Sequence, residues 1–196
     1  MNEESAVKKN ILDAARKVFS QYGYKKTSMS DIAKESGKAK SSLYHYFESK
    51  EAIFVTVIKE KIDLLFNSSV EEASKAADPV GRIHAFIFSG KENINKICKE
   101  FGDILLTELF DFLPLIKETI LEYVNQRLQF MKLIIDDGVG KGIFKTDNSF
   151  ELAFIIEFSF WGFSENHIMG NFFGNSKINP DVTEKLFDTL ISGISV

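Results

Sequence analysis

Two short helical segments separated by one glycine constrain this chain more than any other feature of its 196 residues. They lie in the stretch Thr27 to Lys50, TSMSDIAKESGKAKSSLYHYFESK. Ser28 followed three residues later by Asp31 is a capping-box pattern, which starts a helix over about 28–36 with Ile32 and Ala33 facing inward. Gly37 permits the left-handed turn that a residue with a side chain resists. A second short helix then begins near Ala39 and runs to about 46. Before both, Val7, Ile11, Ala14, Ala15, Val18 and Tyr22 recur at three- and four-residue steps, giving a longer amphipathic helix that closes at Gly23. Two short helices on a tight turn, packed on a longer one, make a helix-turn-helix.

Residue geometry on the second short helix separates a packing side from a free one. At about 100° per residue, Ala39, Leu43 and Phe47 fall together and point inward. Ser41 and His45 point the opposite way, with Ser42 and Tyr44 on the flanks and Lys40 and Tyr46 at the margins. This free face offers donors and acceptors for base edges and phosphates, and no carboxylate appears before Glu48 to repel a nucleic-acid backbone. Charge follows the same division. The net charge is -4, but residues 1–60 hold 11 Lys+Arg against 8 Asp+Glu, and residues 61–196 hold 13 against 20. A basic head on an acidic body allows DNA contact at one end only.

Beyond the head there is no strand-like alternation and no internal repeat, so the expected class is all-α with about nine helices. The fourth runs from about Ser49 and fades before Pro79, which opens a fifth. A sixth covers about 99–112, and Pro114 opens a seventh that ends in the turn of Gly138, Gly140 and Gly142. Asn148 or Ser149 caps an eighth over about 148–172, and a ninth begins at Asp181. The expected division is a DNA-binding domain at 1–48 and a helical ligand-binding and dimerisation domain at 49–196.

Of 19 phenylalanines, 16 follow residue 60. The eighth helix, with Leu152, Phe154, Ile155, Ile156, Phe158, Phe160, Trp161 and Phe163, is apolar almost all round and needs cover on two sides. One side suits the chain's own core and the other a second copy of the chain. Phe101, Leu105, Leu109, Phe112, Phe154 and Trp161 are candidate lining for a hydrophobic ligand cavity, although such stripes also build plain core. Glu157 shares a face with Phe150, Phe154 and Trp161. It either pairs with a cationic ligand or reaches an edge, where solvent or a partner charge meets it. Tyr123 is a further polar candidate, with Glu108, His84 and His167 behind it. An acyl or otherwise lipophilic ligand fits this composition as well as a cation does.

Other classes find little support. The three histidines have no helix-spaced partner, Cys98 is the sole cysteine, and no GxGxxG, GxxxxGK[ST] or GxSxG occurs. Neither a catalytic site, a metal site nor a cofactor is expected. The greasy run Phe150–Met169 is interrupted by Glu151, Glu157 and Glu165, which a membrane span rarely tolerates. With no signal-type N-terminus, a cytoplasmic location is expected.

The run AARKVFSQYGYKKTSMSDIAKESGKAKSSLYHYFESKEAIF resembles the N-terminal domain of tetracycline-repressor (TetR) type transcription regulators. The matching positions are Tyr22-Gly23, Thr27-Ser28, Ile32-Ala33, Gly37, Leu43-Tyr44-His45-Tyr46-Phe47 and Lys50. Lys38 and Ala39 depart from the family's apolar residue and Ser/Thr cap. The resemblance implies that Lys40, Ser41, Tyr44 and His45 face the major groove of operator DNA. It places Thr27, Ser42, Tyr46 and Lys50 on phosphates, with Ser28 and Lys38 beside them. It further implies a homodimer joined through the last two long helices, and a small effector that changes the spacing of the two heads. The rival class is a helical lipid- or ligand-carrying protein whose head meets another protein instead of DNA.

Overall fold

A computed structural model describes residues 3–162 and 180–196. The fold is all-α. The elements are α1 (Glu3–Tyr22), α2 (Met29–Ser36), α3 (Lys40–Tyr46), α4 (Lys50–Ser74), α5 (Pro79–Gly140), α6 (Ser149–Gly162) and α7 (Pro180–Ile194). Strand-like pairing among the described residues is confined to an isolated antiparallel bridge between Phe144 and Ser195.

The three helices expected between Pro79 and Gly142 are one 62-residue helix, so seven helices are described where nine were anticipated. Pro114 lies inside α5 rather than at a start. A proline there forfeits one backbone hydrogen bond and crowds the preceding turn, at a cost of about 3 kcal/mol. Phe112 and Ile116 on either side are buried in a hydrophobic cluster, and that burial offsets the loss. Pro79 does occupy a helix start, where Asp78 caps the first turn by accepting from the Gly81 N–H at 2.9 Å. Asn148 caps α6 in the same manner through Phe150 and Glu151.

The chain divides into two compact units, Met1–Asp63 with Lys99–Leu121, and Leu64–Cys98 with Glu122–Val196. In the first, Ile11, Ala15 and Phe19 of α1 share a core with Ile32, Leu43, Phe54, Phe112 and Ile116. Phe54 meets Phe19 edge-on at 5.1 Å between centroids and Phe112 at 5.2 Å. In the second, Phe86, Met131, Ile134, Ile135, Phe144 and Ile156 form the centre. Phe144 presses on Gly138 so closely that an added Cβ would stand 2.1 Å from its ring, which explains a glycine inside α5 at that point.

Candidate nucleic-acid interface

The head is assembled by local chemistry. Ser28 accepts from the Asp31 N–H at 3.3 Å, while the Asp31 carboxylate accepts from the Ser28 N–H at 2.9 Å, closing the capping box. Hydrogen bonds from the Ser28 side chain and backbone hold the Asp31 carboxyl below its usual range. Gly37 ends α2 at φ 65°, and the Lys38 N–H donates to the Ala33 carbonyl at 3.0 Å. α3 then starts from Ala39 without any side-chain cap, so packing has to hold it. Leu43 supplies that packing at 0 % exposure.

Turning about Leu43, α3 presents Lys40, Ser41, Tyr44 and His45 to solvent, with Tyr44 49 % exposed. Ser28 and Lys38 are exposed as well, whereas Ser42 and Tyr46 are half-buried. Tyr46 packs beside the first unit's core and meets His45 ring edge to face at 5.1 Å. Ala39 is exposed, against expectation, because as the extended residue ahead of the helix it does not follow the helical wheel. Thr27 also differs. It is 3 % exposed, and its hydroxyl donates to the Gly23 carbonyl at 2.7 Å, so it secures the turn after α1 instead of reaching a phosphate.

Lys50 is half-buried. Its ammonium donates to the Tyr24 carbonyl at 2.9 Å and sits 4.2 Å over the Tyr24 ring, leaving further N–H groups for an anion. The Tyr24 hydroxyl donates to Glu51 Oε1 at 2.7 Å. Burial and this carboxylate push the Tyr24 hydroxyl above its ordinary pKa, so it remains a donor. Sequence reasoning passed over Tyr24, since an aromatic directly after Gly23 carries no distinguishing pattern.

The candidate effector residues fare unevenly. The side chains of Phe101, Leu105, Leu109 and Trp161 lie outside the described residues, as do Glu108 and His167. Phe112 is core of the first unit, against Phe54. Phe154 points outward at 47 % exposure and stacks on Phe158 at 4.2 Å, because the inward positions of α6 are Leu152, Ala153, Ile156 and Phe160. Tyr123 is buried. Glu157 is neither a solvent edge nor a free carboxylate. It is 4 % exposed and fully engaged by Arg127, with Nε to Oε2 and Nη2 to Oε1 both 3.0 Å. Arg127 went unnoticed in the sequence, although it sits on the stripe Ile120, Tyr123, Val124, Met131 at helical spacing, where a cation needs an explanation.

His84 stacks on Phe88 at 4.2 Å and reaches Glu184 at 3.1 Å, a surface contact between α5 and α7. Among the described residues no three His, Cys, Asp or Glu side chains converge as metal ligands, and no helix is long and apolar enough to cross a membrane.

A short helix set on its greasy edge, with hydroxyl, imidazole and ammonium groups outward and a glycine turn behind it, defines a helix-turn-helix DNA-binding protein. Known proteins agree. Residues 11–57 match the family described as bacterial regulatory proteins, tetR family. The HTH-type transcriptional repressor KstR2 of Rhodococcus jostii RHA1 is 27% identical over 152 residues, covering 77% of this chain and 74% of that one. The uncharacterized HTH-type transcriptional regulator YhgD of Bacillus subtilis 168 is 29% identical over 160 residues, 76% and 78% of the two chains. The crystal structure of the Bacillus subtilis regulator FadR in complex with stearoyl-CoA superposes with a TM-score of 0.62 at 19% identity, covering 94% of this chain and 98% of that one. Residues 11–57 thus carry a tetR-family DNA-binding region, and the relatives that span about three quarters of the chain are HTH-type transcriptional regulators.

Proposed function

We propose that the protein is a cytoplasmic, homodimeric repressor that leaves its operator when a small hydrophobic effector binds its second unit. The exposed, carboxylate-free face of α3 carries this reading. Lys40, Ser41, Tyr44 and His45 enter the major groove, and Ser28, Lys38, Ser42, Tyr46 and Lys50 hold the flanking phosphates. DNA recognition falls to residues 1–48, while ligand binding and dimerisation fall to 49–196. Phe150, Phe154, Ile155 and Phe158 make an outward apolar stripe on α6, and a second copy of the chain covers it. Two α3 helices related by a two-fold axis then read half-sites about 34–36 Å apart. α4 and α5 each run from one unit into the other, so a ligand that shifts either helix in the second unit acts on the head through continuous backbone. The FadR relative holds a ligand with a long apolar chain, and the Phe-rich second unit suits an effector of that character.

The test is selection of duplexes by the purified dimer, followed by titration across salt. Several phosphate contacts should make affinity fall steeply as salt rises. Lys40→Ala with Tyr44→Ala should weaken operator binding by at least about tenfold at each position while leaving the dimer intact. Binding that enriches no sequence, or that ignores salt, contradicts the reading.

A further inference from the structure

The outward face of α3 offers a base edge only one side chain of fixed polarity. From Lys38 to Phe47 the chain reads KAKSSLYHYF, with no Asp, Glu, Asn, Gln or Arg. Ser41, Tyr44 and His45 are exposed, and hydroxyls and a neutral imidazole both donate and accept, so each tolerates more than one base. Lys40 differs, because an ammonium carries three donors and no acceptor. It is exposed and makes no ion pair among the described residues. The carboxylates that precede it most closely are engaged elsewhere, Asp31 in the capping box and Glu35 with Lys17 at 3.4 Å. Glu48 lies beyond the far end of α3. Nothing in the protein satisfies or neutralises this ammonium.

Lys38 is a second exposed lysine without an ion pair, but it stands elsewhere. Its backbone N–H closes the turn on the Ala33 carbonyl at 3.0 Å, two residues ahead of α3. Lys40 belongs to α3 itself, one helical turn before the exposed Tyr44 on the same ridge. In a helix-turn-helix the early residues of the second helix meet base edges, while the preceding helix crosses the backbone. The bases differ in what they show there. Guanine presents two acceptors, N7 and O6, whereas adenine sets one acceptor beside a donor. Cytosine presents a donor, and thymine one acceptor beside a methyl group. A side chain that can only donate fits guanine best. We propose that Lys40 reads a guanine in each operator half-site and sets the preference at that position, while Lys38 holds a phosphate without regard to sequence. This rests on the proposed function, with α3 in the major groove, and goes further by assigning the base to the residue.

The experiment takes a duplex that the full-length protein selects from random sequence and exchanges the guanines of one half-site in turn. Each is replaced by adenine, with its pairing partner changed to match, and by 7-deazaguanine, which lacks the N7 acceptor. One guanine should stand out, with affinity falling about tenfold on either exchange. Lys40→Ala should bind the selected duplex more weakly and discriminate guanine from adenine at that position by less than about twofold. Lys40→Gln should move the preference toward adenine, since an amide matches N6 and N7 together. Lys38→Ala should weaken all duplexes alike, reduce the slope of log affinity against log salt by about one, and leave the guanine preference intact. Both lysines are exposed, so the variants should keep the helix content of the parent by circular dichroism. A guanine preference that survives Lys40→Ala overturns the proposal and spares the DNA-binding reading, as does a selected half-site in which no guanine exchange matters. If no duplex is selected at all, both fall.

Discussion

Glu51 and Tyr24 show how much of the head's stability rests on single contacts next to the DNA face. The hydrogen bond from the Tyr24 hydroxyl, with backbone help, holds the Glu51 carboxyl below its ordinary 4.5. A carboxyl that binds its proton less readily when folded stabilises the fold above its unfolded pKa, and that contribution disappears as pH falls through the folded value. Tyr24→Phe should therefore cost about 1 kcal/mol near pH 7 and less at a pH well below 4.5, read from urea unfolding at the two pH values. An equal loss at both would mean that the ring, not the hydroxyl, matters. Lys50 shares this cluster through the Tyr24 carbonyl, so its position at the start of α4 is set before DNA arrives. Arg127 and Glu157 are the counterpart in the second unit, two charges whose side chains could not stay buried without each other.

Helices here are started and stopped by different devices, and two glycines show the contrast. At Gly37 an added Cβ would meet no atom within 4 Å, so Gly37→Ala should cost only the left-handed backbone, about 1–2 kcal/mol. At Gly138 the backbone is ordinary α-helix, and the cost comes from the Phe144 ring 2.1 Å away. Gly138→Ala should cost up to about 3 kcal/mol through overpacking. Phe144→Ala placed on Gly138→Ala should recover the clash and leave only the cavity, which a double-mutant cycle in chemical denaturation would read as coupling; additive losses would contradict it. α3 depends on neither device at its start, since Ala39 supplies no side-chain cap, and the helix is held by the buried Leu43 with Tyr46 packed beside the same core.

For the molecule as a whole, α6 carries the decisive asymmetry. Its inward positions complete the second unit's core, yet Phe150, Phe154, Ile155 and Phe158 remain in water, with Ile155 53 % exposed. An exposed apolar stripe of this kind marks a contact surface, which the proposed function gives to a second copy of the chain. Ile155→Glu should shift the protein from dimer to monomer at micromolar concentration in analytical ultracentrifugation while leaving helix content by circular dichroism unchanged. It should also weaken operator binding, because a lone head forfeits the second half-site. A variant that stays dimeric would place the interface elsewhere.

Capping residues, helical periodicity and turn glycines are local properties, and they sufficed to write down the helix-turn-helix, the outward face of α3, the helix start at Pro79, a cap at Asn148 or Ser149 and the all-helical class. Exposure and pairing are decided by which helices become neighbours, and no run of residues contains that. Hence the burial of Thr27 on Gly23, the passage of α5 straight through Pro114, and the transfer of Phe112 to the first unit's core emerged only in three dimensions. The same holds for Glu157, whose partner stands thirty residues earlier on another helix. A carboxylate's role depends on the charge that meets it, and only the packing of α5 against α6 brings Arg127 there.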